Sequence, residues 1–273
     1  MKKLSLSYKN SIISFEQAGN GKQLLFCFHG FGEDGYSFGI FEKLLGNEFT
    51  MIAPDFPFHG ETTWKEGLLF QPDDLLEMIS LFTAHFAQED IHKDKFSILA
   101  YSLGGRIAFH LLQLIPEKID RMVLAAPDGL TMNFWYWLGT QTWFGNKLFK
   151  FTMYNPGWFF FLIKVGNKTG LVNKSIYKFV YHYIDNEKAR INLYQRWTCM
   201  RKYKPDFKKV VTVLLNHPTR LTLFFGVYDR IILSKRSDFL KAAGPKITIR
   251  IIQAGHQLLR EKHTKEIAAA FSE

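Results

Sequence analysis

Cysteine is almost absent: Cys27 and Cys199 are the only two in 273 residues. Two thiols cannot build a disulfide framework or a cysteine-based zinc site, and their scarcity points to a reducing compartment, the cytoplasm. Glycine and proline stand at ordinary levels, 20 and 9, which excludes collagenous and low-complexity chains. No long apolar run occurs either. The strongest, Trp158 to Val165 (WFFFLIKV), is interrupted by Lys164 and falls far short of the roughly 20 residues a spanning helix needs. The start, Met1 to Gly19, has no apolar h-region and no cleavage signal, so it reads as two short strands and not as a targeting segment. Also missing are a G-x-x-x-x-G-K-[ST] loop and a His-x-x-x-His pair backed by acids. Nucleotide, cofactor and metal readings therefore lack residues to carry them.

Acidic residues are scarce in one place only. The formal net charge is +10, with 47% hydrophobic, 22% charged and 16% aromatic residues. Between Gly129 and Val213 there are 14 Lys and Arg against 3 Asp and Glu, while the rest of the chain holds 21 against 22. The same window contains 21 of the 44 aromatic residues and five of the six Trp. Such a length and composition fit one large α/β domain carrying a chemically distinct insertion. A basic balance confined to one segment, without a binding motif, argues against nucleic acid as a partner.

Outside that window, strand-length apolar runs alternate with helical patterns. Gln23–Phe28, Phe49–Ala53, Phe96–Ala100 and Asp120–Ala125 read as strands; Pro72–Gln88 and Leu103–Leu114 read as helices. The alternation resumes with a strand at Thr219–Phe225, a helix at Lys235–Ala243, a strand at Ile247–Ile252 and a helix at Leu258–Phe271. Continuous apolar strands alternating with helices predict a mostly parallel sheet covered on both faces. The boundaries expected are a core of 1–128 and 214–273, interrupted by a helical insertion at 129–213.

The chemistry centres on Ala100-Tyr101-Ser102-Leu103-Gly104-Gly105, between a strand and a helix. A serine there sits on a very tight turn, and the residues two before and two after must be small to avoid collision. Ala100 and Gly104 meet that demand. The helix N-terminus, with its unpaired N–H groups, then points at the hydroxyl.

Four separated motifs now stand in order: His29-Gly30-Phe31-Gly32, Pro54 to Thr62 (PDFPFHGET), the Ser102 elbow, and a late Asp and His. By these the chain resembles the α/β-hydrolase fold superfamily, of the kind with a helical cap inserted after the sixth strand. The resemblance covers essentially the whole chain and implies an eight-stranded sheet. It implies His256, between the last strand and last helix, as the base, and Asp229, after the strand Thr219–Phe225, as the acid. Asp128, just after the preceding strand, is the alternative acid, carried there by some relatives. The backbone N–H groups of Phe31 and Leu103 are implied as the oxyanion hole. His29 and His59 read as structural.

A serine hydroxyl needs an imidazole to take its proton, and the imidazole a carboxylate to fix its tautomer. The expected function is hydrolysis of a small-molecule carboxylic ester, or thioester, through an acyl-enzyme. Amide or carbon–carbon cleavage by the same residues, and a silent binding protein on the same scaffold, are the alternatives. Serine in place of aspartate at the elbow disfavours epoxide hydrolase and haloalkane dehalogenase chemistry, which needs a carboxylate nucleophile. Aromatic clusters in the insertion (Phe134–Trp137, Trp143-Phe144, Trp158–Phe161, Tyr181–Tyr183) point to an apolar acyl or alcohol group, since such caps close over the nucleophile. The basic, aromatic cap also carries an expectation of peripheral contact with an anionic membrane.

Overall fold

The computed structural model describes residues 1–86, 91–170 and 184–273. Two antiparallel strands, β1 (Lys2–Tyr8) and β2 (Ser11–Ala18), lead into β3 (Gln23–Phe28), β4 (Phe49–Pro54), β5 (His92–Tyr101), β6 (Ile119–Ala125), β7 (Arg220–Gly226) and β8 (Ile247–Ile252). All eight form one sheet in the order β1-β2-β4-β3-β5-β6-β7-β8. The β1–β2 and β2–β4 pairs are antiparallel and every other pair is parallel. Among the described residues the helices are α1 (Glu42–Leu45), α2 (Pro72–His85), α3 (Leu103–Leu114), α4 (Phe134–Gln141), α5 (Trp143–Tyr154), α6 (Gly157–Lys168), α7 (Glu187–Cys199), α8 (Phe207–Asn216) and α9 (Glu261–Ala269).

Burial explains the apolar runs. Every residue of β4 is buried, and so is every residue of β3 and β7 after the first. Strands covered on both faces cannot alternate polar with apolar, so the sequence shows continuous runs. The edge strands β1 and β8 are largely half-exposed or exposed. The helices pack in two groups: α1 with α9, and α2 with α3, followed by α8 and the 3-10 turns of Ser234–Ala243. At its N-terminus α2 has Pro72 and a capping box, where the Gln71 N–H donates to the Asp74 carboxylate at 2.7 Å. The same carboxylate accepts from Tyr8 Oη at 2.6 Å and Lys9 Nζ at 2.7 Å, which ties the helix to the β1–β2 hairpin.

The eight-stranded, mostly parallel sheet agrees with the sequence reading. Details differ. The helix expected at Lys235–Ala243 has 3-10 geometry, and the last helix is shorter than Leu258–Phe271. Of the helix read as Pro72–Gln88, the residues after Phe86 lie outside the described residues, as does the cluster Tyr181–Tyr183.

The chain divides into two compact units. The first comprises 1–66, 71–131 and 202–273, and the second 67–70 and 132–201. Residues 202–213, assigned to the insertion on composition, therefore belong with the first unit. The reason is packing: Val210 and Leu214 of α8 are buried, and Phe207 meets the Phe109 ring of α3 edge-on at 5.1 Å. Basic composition marked the segment, but its apolar face decided its place. Within the second unit, α4, α5 and α7 pack around Tyr136, Phe149, Tyr194 and Trp197, with ring centroids 5.2–5.6 Å apart. Asn133, Thr142 and Asn186 cap its helices through side-chain oxygens.

Candidate active site

In a parallel sheet the loops after the strands gather along one edge, where sites form. Here those loops follow β3, β5, β6, β7 and β8 and carry Phe31, Ser102, Asp128, Asp229 and His256.

Strand β5 ends at Tyr101 and α3 begins at Leu103, so Ser102 alone makes the turn. Its backbone sits at φ +47 and ψ −112, a strained conformation for a residue with a side chain. Three hydrogen bonds hold it there: Ser102 N–H donates to Ala125 O at 3.0 Å, and Ser102 O accepts from Gly105 N–H at 2.9 Å and Asp128 N–H at 2.8 Å. Position 104 must be glycine, because a Cβ there would stand 1.9 Å from Phe28 O. The demand for a small residue two after the serine thus comes from the neighbouring strand β3.

Ser102 Oγ lies 3.1 Å from His256 Nε2. On the other side of the ring, Nδ1 lies 2.8 Å from Asp229 Oδ2. A carboxylate only accepts, so Nδ1 carries the proton and Nε2 is left to accept from the serine hydroxyl. The side chain of Asp229 is fully buried. Its other oxygen, Oδ1, accepts from the Ile231 and Ile232 N–H groups at 2.8 and 2.9 Å. The loops bearing these two residues are stitched together, with Val227 N–H donating to Ile252 O at 3.0 Å and Tyr228 N–H to Ala254 O at 2.9 Å.

Asp128 is engaged elsewhere. Its Oδ2 accepts from Arg106 Nη2, and its Oδ1 accepts from the Gly129 N–H at 2.6 Å. Of the two carboxylates considered for the acid, Asp229 is the one on the imidazole. Leu103 occupies the first turn of α3, where backbone N–H groups have no acceptor within the helix. Phe31 lies in the turn closed by Glu33 N–H to Gly30 O at 3.3 Å, and Gly32 takes φ +80 there, which favours glycine.

His29 and His59 both contact backbone atoms of their own loops. His29 Nδ1 donates to Gly30 O at 2.8 Å, and Nε2 accepts from Phe56 N–H at 3.1 Å, which joins the loops after β3 and β4. His59 Nδ1 lies 3.0 Å from Pro57 O. The second loop folds about Asp55, whose carboxylate accepts from the Gly35 and Glu61 N–H groups at 2.8 and 2.9 Å.

Two further groups escaped the sequence reading. Tyr101 precedes Ser102; its ring lies 5.5 Å from the His256 ring and its hydroxyl donates to His256 O at 3.2 Å. Burial first, then the Glu33 and Asp229 carboxylates, push its pKa up. Glu33 has a buried oxygen, Oε2, with no hydrogen-bond partner among the described residues. Burial raises its pKa, against the pull of the Gly30 N–H and the His256 ring. The motif His29-Gly30-Phe31-Gly32 stops one residue before it, so only proximity in space could have singled it out. Among the described residues no three His, Cys, Asp or Glu side chains converge as metal donors would.

A strained serine between strand and helix, followed in the chain by an acid and then a histidine, is the arrangement of one fold family. A family profile described as the alpha/beta hydrolase fold matches residues 23–262, and the chain belongs to that family. It is 29% identical over 107 residues to a serine hydrolase-like protein of Danio rerio, a match covering 38% of this chain and 31% of that protein. The chain spans less than half the length of the first curated relatives it matches, 31% to 45%. Among solved structures, a thermophilic esterase from Thermogutta terrifontis superposes with a TM-score of 0.67 at 15% identity, over 100% of this chain and 97% of that one. The thioesterase domain from the curacin biosynthetic pathway gives 0.63 at 14%, over 100% and 99%. At such identities these likenesses show the fold alone.

Proposed function

We propose that the chain is a serine hydrolase that cleaves a carboxylic ester or thioester through an acyl-enzyme. The observation that carries this reading is the unbroken chain of contacts from Ser102 Oγ through His256 to buried Asp229. In this reading His256 Nε2 takes the hydroxyl proton as Ser102 attacks the carbonyl carbon. Negative charge develops on the carbonyl oxygen and is held by the N–H groups of Leu103 and Phe31. Collapse expels the alcohol or thiol, which receives the proton from His256. Water then attacks the acyl-enzyme by the same route, and Ser102 is restored. Asp229 stabilises the transient imidazolium and, held by two backbone N–H groups, keeps the ring in the reactive tautomer. The aromatic richness of residues 129–213 supports an apolar acyl or alcohol group in the substrate.

A fluorophosphonate probe, which reacts only with an activated serine, tests the nucleophile. Labelling of the intact chain that disappears in Ser102→Ala is the expected result; absence of labelling would overturn the reading. A series of p-nitrophenyl esters of increasing acyl length then tests the preference, with kcat/KM rising beyond acetate.

A further inference from the structure

Helix α6 departs from the usual arrangement of a surface helix. Normally the apolar stripe at i, i+3, i+4 and i+7 faces the core while polar residues face water. Trp158, Phe161, Leu162 and Val165 hold that spacing in α6, yet all four are exposed, Phe161 at 65% and Leu162 at 53%. None of the residues from Gly157 to Lys168 is buried. Lys164 and Lys168, four apart and both exposed, border the stripe along one side.

Helix α5 repeats the arrangement. Its inner face buries Gly145, Thr152 and Met153. Its outer face exposes Phe144, Leu148 and Phe151, again at i, i+4 and i+7, beside exposed Lys147 and Lys150. Lys147 Nζ lies 3.9 Å above the Trp143 ring. Between Asp128 and Asp185 the sequence contains no acidic residue, so no nearby carboxylate on this stretch offsets the lysines.

We propose that the outer faces of α5 and α6 dock on an anionic lipid surface. Tryptophan suits the boundary between acyl chains and headgroups, and bordering lysines can lay their stems over apolar groups while their ammonium groups meet lipid phosphates. A second copy of the chain fits the face less well, because apposing it to itself brings lysines against lysines with no acidic residue to receive them.

The test sediments the intact chain, at low salt, with vesicles of equal parts phosphatidylglycerol and phosphatidylcholine, and with phosphatidylcholine alone. Partitioning is roughly tenfold or more stronger onto the anionic vesicles and declines as salt is added. The pairs Lys164→Glu with Lys168→Glu, and Phe161→Ser with Leu162→Ser, each weaken it roughly tenfold while leaving the far-ultraviolet circular dichroism unchanged. Should either pair disturb the fold, Lys147→Glu with Lys150→Glu, or Phe144→Ser with Phe151→Ser, takes its place. Equal partitioning onto both vesicles, or none onto either, overturns the proposal. So does a loss confined to the lysine variants, which would mean attraction without insertion of the apolar stripe. A lipid-free dimer in sedimentation velocity that Phe161→Ser dissociates would assign the face to a second copy instead, and would equally overturn it.

Discussion

The two units use apolar residues in opposite ways. In the first, β3, β4 and β7 bury nearly every side chain, and the polar groups around Ser102 are positioned by specific partners. In the second, Trp135, Trp143, Phe144 and Phe161 are exposed, and the buried aromatic cluster is small. A buried Phe contributes to folding; an exposed one contributes to what the surface can touch. The same residue type therefore reports stability in one unit and contact chemistry in the other, and substitutions should separate the two.

The largest contrast is catalytic. On the proposed mechanism Ser102→Ala should lower kcat on an ester by about a million-fold, while unfolding stability and vesicle partitioning stay as in the parent chain. Next, Asp229→Asn should lower kcat about 10,000-fold by freeing the wrong tautomer of His256. Asp128→Asn should spare kcat but cost about 1–3 kcal/mol in urea denaturation, because the Arg106 guanidinium loses a charged partner. An equal fall in kcat from both Asp substitutions would contradict the assignment of the acid.

Smaller but more diagnostic of the two units is a pair of aromatic truncations. Phe26→Ala in β3 should cost about 3–5 kcal/mol, since the side chain is fully buried. Phe161→Ser in α6 should change stability by less than about 0.5 kcal/mol, as exposed positions do. Comparable losses at both sites would erase the contrast.

The smallest effect concerns Glu33. Burial raises the pKa of Glu33, so keeping its carboxylate ionised in the folded chain costs stability once the pH passes the ordinary carboxylate range. Glu33→Gln removes that charge and should therefore raise resistance to urea slightly at neutral pH. The gain over the parent chain should shrink as the pH falls into the ordinary carboxylate range, where the unfolded chain also takes up the proton. A difference from the parent that does not change with pH would sink this account.

Much of the fold was legible in the chain because its signals are local. A strand buried on both faces needs an unbroken apolar run, as in Gln23–Phe28 and Phe49–Ala53, and proline punctuates the helices at Pro72 and Pro116. Where several signals compete, composition and packing point to different places. Residues 202–213 carried the basic composition of the insertion, but the apolar face of α8 places them with the first unit.

Sequence alone determined the elbow. With one residue between strand and helix and glycine two positions on, sterics acting over a few bonds leave few conformations for Ser102. Sequence also determined that two carboxylates, Asp128 and Asp229, follow consecutive strands of the sheet's second half. Only the tertiary structure shows that Asp229 meets the imidazole of His256 and that Asp128 meets Arg106. Likewise, the spacing of Trp158, Phe161, Leu162 and Val165 specifies a stripe on a helix, but whether that stripe faces a core or the outside is set by what packs beside it. Local sterics reach a few residues along the chain; pairing and burial depend on neighbours that only folding brings together.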